Sequence, residues 1–151
     1  MSVARFVGAW RLVSFESRRP DGTLTYPFGE APIGIAIFSP DGHVAAQLMR
    51  PDRPPLSSPG PTAEEIRQAF DGCVAYFGAC NVDEATHTLV TRVAGSLFPN
   101  WIGGDQVRDF EFRGEQLVLR PPPRQTPAGL VTSELVWERA LPAPGWQDSA
   151  G

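Results

Sequence analysis

The chain has 151 residues, which fits one domain and is long enough to bury a core without disulfide or metal support. Hydrophobic residues account for 42% and charged residues for 20%, the balance of a soluble globular protein. The formal net charge is −4 and no basic run stands out, which sets aside a nucleic-acid-binding surface.

The two cysteines, Cys73 and Cys80, would lie roughly 23 Å apart on one extended strand. A disulfide needs Cα atoms within about 7 Å, and the spacing is also too wide for a CxxC redox or metal motif. The opening MSVARFVGAW lacks the apolar run of about 7–15 residues of a secretory signal. No stretch approaches the roughly 20 apolar residues of a membrane helix. The expectation is a cytoplasmic, soluble protein with reduced thiols and no membrane partner.

Gly (15 residues) and Pro (16 residues) cluster between short apolar runs, which is the punctuation of strands. The first expected strand runs from about Ala9 to Arg18, with Trp10, Leu12, Ser14 and Glu16 on one face. The second runs from Ile33 to Ser39 and puts Ile33, Ile35 and Ile37 on one face. Ser39-Pro40-Asp41-Gly42 is a tight turn, since Pro presets φ and Gly accepts a positive φ. The third strand is His43 to Arg50. A loop with five prolines, Pro51 to Pro61, leads to Thr62-Ala-Glu-Glu65, a capping box that opens the one expected helix. Gly72 stands where that helix should stop. The fourth strand is Cys73 to Val82, the fifth Thr86 to Ala94. Ser96 to Gly104 form an apolar loop, and the sixth strand is Gln106 to Phe112. Arg113-Gly114-Glu115 make a hairpin turn into the seventh strand, Gln116 to Arg120. A Pro-rich loop, Pro121 to Gly129, precedes the eighth, Ser133 to Arg139. Residues 1–141 are expected to form one domain and 142–151 a flexible C-terminal tail.

The connection lengths alternate long and short along the whole chain. In an up-and-down meander this sends every short hairpin to one end and every long loop to the other. The expected fold is therefore all-β: an eight-stranded up-and-down antiparallel barrel with a closed floor, an elaborated mouth and one short helix between the third and fourth strands. A Greek-key sandwich is the rival, and it does not require the alternation.

Two features at the ends resemble the lipocalin and wider calycin families: Gly8-x-Trp10 at the start of the first strand and Arg139 at the end of the last. The resemblance implies that the Trp closes the floor and the Arg packs across it. The guanidinium plane stacks on indole and its donors reach nearby carbonyls. Further motifs resemble a bacterial and fungal family of stand-alone lipocalin-like domains. They are Tyr26-Pro-Phe-Gly-Glu30, Pro40-Asp-Gly-His43, Gln47-Leu-Met-Arg-Pro-Asp-Arg-Pro54, Tyr76-Phe-Gly78, Gly95 to Trp101 with Asp105 to Arg108, and Leu135-Val-Trp-Glu-Arg139. The resemblance implies the fold; it carries over no catalytic set.

Long rim loops position binding groups, so the mouth is the expected site. Arg108 is the foremost candidate. Its strand alternates so that Gln106, Arg108, Phe110 and Phe112 share a face. If the phenylalanines face inward, Arg108 does too, and a buried cation needs a partner. That partner is a ligand carboxylate or enolate, or else Glu16, which would brace the barrel. Glu16 and Ser14 face inward if the first strand is regular, and a bulge would turn them out. Gln47 alternates with Ala45 and Met49, so Gln47 and Met49 are candidate wall residues. Tyr76 is either core or a ligand contact. Phe98, Asn100 and Trp101 form a lid over the mouth or a permanent plug, with Tyr26 opposite. His43 and His87 begin strands at the floor, away from the site. No metal and no cofactor are expected.

The leading reading is binding of a small apolar or amphipathic metabolite with a polar or anionic end, oriented by Arg108, Gln106 and Gln47. The alternative is a cofactor-independent isomerase, cyclase or lyase, with Arg108 or Tyr76 stabilising an enolate and Glu16 carrying the proton. A third reading is a filled barrel acting as an interaction module, dimeric through an outward isoleucine row.

Overall fold

A computed structural model describes residues 3–144. Of the tail expected at residues 142–151, residues 145–151 lie outside the described residues. All eight expected strands are present. They are β1 (Gly8–Arg18), β3 (Ile33–Phe38), β4 (His43–Met49), β5 (Cys73–Asp83), β6 (Thr88–Ser96), β7 (Asp105–Arg113), β8 (Gln116–Arg120) and β10 (Gly129–Arg139). Two short strands were not anticipated, β2 (Leu24–Thr25) and β9 (Arg124–Thr126). Both lie in long loops and extend β1 and β10 at the mouth.

The sheet order is β2-β1-β3-β4-β5-β6-β7-β8-β10-β9, and β1 also pairs with β10, so the barrel closes. Every pairing is antiparallel, with Leu12 opposite Trp137 and Phe15 opposite Leu135 across the seam. Inward positions carry the core: Trp10, Leu12, Phe38, Val44, Val82, Leu89, Phe110, Leu117 and Trp137 are buried. The alternation that places them is the period of two of a half-buried strand.

The floor is closed by the N-terminal turn. Phe6 is fully buried, with its ring 5.1 Å from both Phe110 and Phe112. The Trp10 indole N–H donates to the Phe6 carbonyl at 2.7 Å. The Arg139 guanidinium lies 4.0 Å over the Trp10 ring. It donates to the Arg5 carbonyl at 2.8 Å and also to that of Val7. Gly8 has φ +120°, and a Cβ there would meet Arg139 at 2.8 Å. The glycine of the Gly-x-Trp pattern thus leaves the path along which the arginine crosses.

The helix α1 (Ala63–Asp71) begins where the capping residues place it, with the Thr62 side chain accepting from the Glu65 N–H. The Glu65 carboxylate reaches Ser57. The helix buries none of its own residues and rests on the rim.

Arg139→Ala removes one stacked cation and two donors from the floor. It should destabilise the fold by about 2 kcal/mol, with the denaturant slope unchanged, in a urea titration followed by tryptophan emission.

Candidate functional site

Inside the mouth half of the barrel lies a cavity of about 130 Å³. Phe15, Leu48, Val74, Leu119 and Leu135 form its apolar wall, and Tyr76, Trp101, Arg108 and Trp137 also line it. A larger hollow of about 710 Å³ lies at the opposite end. It is the outer surface of the floor, lined by the closure residues Arg5, Trp10 and Arg139.

The shape of the cavity depends on a bulge in β1. The register against β10 shifts between Leu12 and Ser14, leaving Val13 as the extra residue. Trp10 and Leu12 face inward below it. Above it Phe15 and Ser17 face inward, and Ser14 and Glu16 turn to the outer surface. There Glu16 lies beside Arg120 and Glu134 in a shallow groove. Arg120 already joins Glu134 at 3.0 Å and Glu111 at 2.7 Å.

Arg108 is therefore left without the internal carboxylate that Glu16 would have supplied. The guanidinium donates to the Val107 carbonyl at 2.7 Å and to the Gln106 side-chain oxygen at 3.3 Å. It makes no ion pair among the described residues. Gln106 faces inward beside it and serves as its acceptor.

Tyr76 stands across from Arg108. Burial pushes its hydroxyl above the usual tyrosine pKa, and the Arg108 charge opposes that shift. The phenol is thus a donor at neutral pH. The indole N–H of Trp137 is buried and has no hydrogen-bond partner among the described residues. Such orphaned donors are rare in folded proteins.

A chain of edge-to-face rings holds the wall from outside. Tyr76 meets Trp101 at 5.5 Å, Trp101 meets Phe98 at 5.1 Å, and Phe98 meets Phe70 of the helix at 5.2 Å. Trp101 belongs to the short 3-10 turn Pro99–Trp101.

Residues 7–140 match the lipocalin-like domain family. The chain belongs to that family. A lipocalin-like protein from Bacteroides uniformis has a crystal structure that aligns over 91% of this chain and all of its own, with a TM-score of 0.50 and 12% identity. An uncharacterized protein from Bacteroides eggerthii aligns over 89% of this chain and 98% of its own, with a TM-score of 0.44 and 13% identity. No curated protein matches.

Within this lipocalin-like barrel the structure brings Arg108, Tyr76 and Trp101 to one cavity, with Gln106 alongside. Phe98 stands behind Trp101. The other expected contacts lie elsewhere. Gln47 is exposed on the outward face of β4, because the inward positions are Val44, Ala46 and Leu48. Met49 shares that outward face, and its sulfur accepts from Arg53. Ser14 and Glu16 are displaced by the bulge. Asn100 is exposed at the rim, and Tyr26 is exposed on the strap before β3. Phe110 belongs to the floor cluster, stacked on His87 at 5.4 Å. His43 is exposed beside Asp41 at the same end.

Trp137 was missed as a cavity residue, although the signal was there. Arg139 crossing the floor fixes the inward phase of the last strand, and Trp137 lies two residues before it.

In a Tyr26→Phe background, near-ultraviolet absorbance should show the remaining phenol, Tyr76, ionising above the ordinary tyrosine range. Arg108→Leu should move that ionisation higher still, because it removes the opposing charge. Since folding raises this pKa, the stability tied to the neutral phenol is present below the ordinary value. It is lost as pH rises through the folded one.

Proposed function

We propose that the barrel binds a small, largely apolar molecule with an anionic end, its body in the mouth cavity and its charge on Arg108. The observation that carries this reading is Arg108: a cation on an apolar cavity, with no carboxylate partner among the described residues. A guanidinium so placed gains from a ligand carboxylate, which accepts its paired N–H groups. The apolar wall adds about 25 cal/mol for each Å² of ligand surface it covers. Trp101 lines a void rather than filling it, which favours a held ligand over a filled barrel.

The isomerase, cyclase or lyase alternative asked Glu16 to carry a proton, and Glu16 lies on the outer surface. The lining residues offer donors and neither carboxylate nor imidazole. This supports holding over turnover.

A second reading rests on a different observation and is compatible with the first. Ile33, Ile35 and Ile37 are 51%, 38% and 47% exposed on the outside of β3, and Phe77 of β5 is 56% exposed. Ala45, Gln47 and Ala75 lie between them in register. We propose that this apolar face, bordered by the Arg11–Glu138 pair beside Ile35, joins two copies of the chain. Each copy carries −4, and the residues of β3, β4 and β5 named here bring no carboxylates together. A bulky row beside an alanine trough is self-complementary about a two-fold axis.

For the cavity, isothermal titration of a panel of apolar monocarboxylates should give saturable binding. Arg108→Leu should weaken it at least tenfold, the loss of one charge-assisted contact of about 1.5–3 kcal/mol. Equal binding by Arg108→Leu would overturn the assignment. For the outer face, sedimentation should find a dimer at high micromolar concentration that Ile35→Lys converts to a folded monomer. A wild-type monomer at that concentration would refute the interface.

A further inference from the structure

We infer that the ligand is a one-ring aromatic carboxylate, its head group held by donors of three residues that line the cavity together, Arg108, Tyr76 and Trp137. The inference rests on the proposed reading of the cavity and narrows it to one chemical class.

Size comes first. Drug-sized ligands occupy pockets of roughly 300–1,000 Å³, and the cavity here is about 130 Å³. An apolar protein cavity of about 150 Å³ holds benzene. The space therefore takes a single ring and not a fused pair or a long acyl chain. The wall favours a ring as well. Phe15, Tyr76, Trp101 and Trp137 present aromatic surfaces to the same space, and rings pair well in offset or edge-to-face arrangements.

The head group follows from the donor inventory. Arg108 has five N–H donors and no acceptor, and its two contacts within the chain leave the others without a partner among the described residues. The Tyr76 hydroxyl makes no hydrogen bond among the described residues either, and burial keeps it protonated. The Trp137 N–H is buried and has no partner among the described residues. The one side-chain amide beside them, Gln106, already turns its oxygen to Arg108. A set made of donors selects a group made of acceptors. A carboxylate offers about four lone-pair sites and no hydrogen. A primary amide or an alcohol of the same size brings N–H or O–H groups for which this wall offers only the Tyr76 oxygen and the remaining lone pair of Gln106, so it should bind more weakly than the carboxylate.

The test uses the full chain, titrated with benzoate, benzamide, 2-naphthoate and decanoate by calorimetry and by the indole region of a proton–nitrogen NMR spectrum. The Trp137 resonance is assigned with Trp137→Phe. Benzoate should bind at least tenfold more tightly than each of the other three, and the Trp137 N–H resonance should move downfield as it does so. Trp137→Phe should weaken benzoate several-fold. Should that variant fold poorly, the resonance shift in the wild-type chain decides. A Trp137 resonance that stays still while benzoate binds would overturn the head-group assignment. Tighter, Arg108-dependent binding of naphthoate or decanoate would overturn the size assignment and leave the broader reading of the cavity standing. Binding of none of the acids would remove both.

Discussion

One extra residue in β1 decides what the interior of this barrel can do. With β1 regular, the face that begins at Trp10 would continue through Ser14 to Glu16, and a carboxylate would stand opposite Arg108. The bulge at Val13 reverses the phase above it, so that Phe15 enters and Glu16 leaves. A pleated strand has two faces, and a one-residue slip exchanges them for every residue that follows. The barrel thereby gains an aromatic wall and loses an internal ion pair. The guanidinium on the facing strand keeps donors that nothing among the described residues answers.

The two ends of the barrel divide the work. At the floor, the closure donors are matched: Arg139 reaches two carbonyls over the Trp10 ring, and Trp10 reaches the Phe6 carbonyl. At the mouth, donors outnumber acceptors and the packing stops short of filling the space. A buried polar set with partners rigidifies a fold, and one without partners is held in place by its surroundings at some expense in stability. The closed floor and the closed β1–β10 seam supply those surroundings.

Much of this was legible in the sequence because it depends on local chemistry. Turns at Ser39-Pro40-Asp41-Gly42 and Arg113-Gly114-Glu115, the Thr62 cap and the alternation of β7 are all short-range signals, and they fixed eight strands, one helix and the inward phase of Arg108. Gln47 and Met49 were misplaced for a different reason. In β4 both faces carry apolar or small residues, so period alone could not say which face is inside. Ser14 and Glu16 were misplaced because a bulge leaves no clear mark in composition; it emerges when β1 is paired in register with β10, a partner at the far end of the chain. Trp137 was overlooked because a tryptophan in a strand looks like core. That its N–H lacks an acceptor among the described residues is a property of the assembled wall.

The helix α1 buries none of its residues, whereas Phe6, Trp10, Val82 and Leu117 near the floor are sealed. Free energy of local opening scales with such burial, so the molecule is firm at one end and soft at the other. The ring chain from Phe70 to Tyr76 links the soft end to the cavity wall. Admission of a molecule then asks only the rim to yield, and the closure that keeps the chain folded is not disturbed. The cavity wall itself is shared: Leu48, Leu119, Leu135 and Trp137 line it and also belong to the buried core, so what is held and whether the chain folds are set there by the same residues. Substitution at Arg108 and Trp101, which line the cavity from outside that core, is therefore the route by which the barrel changes its preference at least expense in stability.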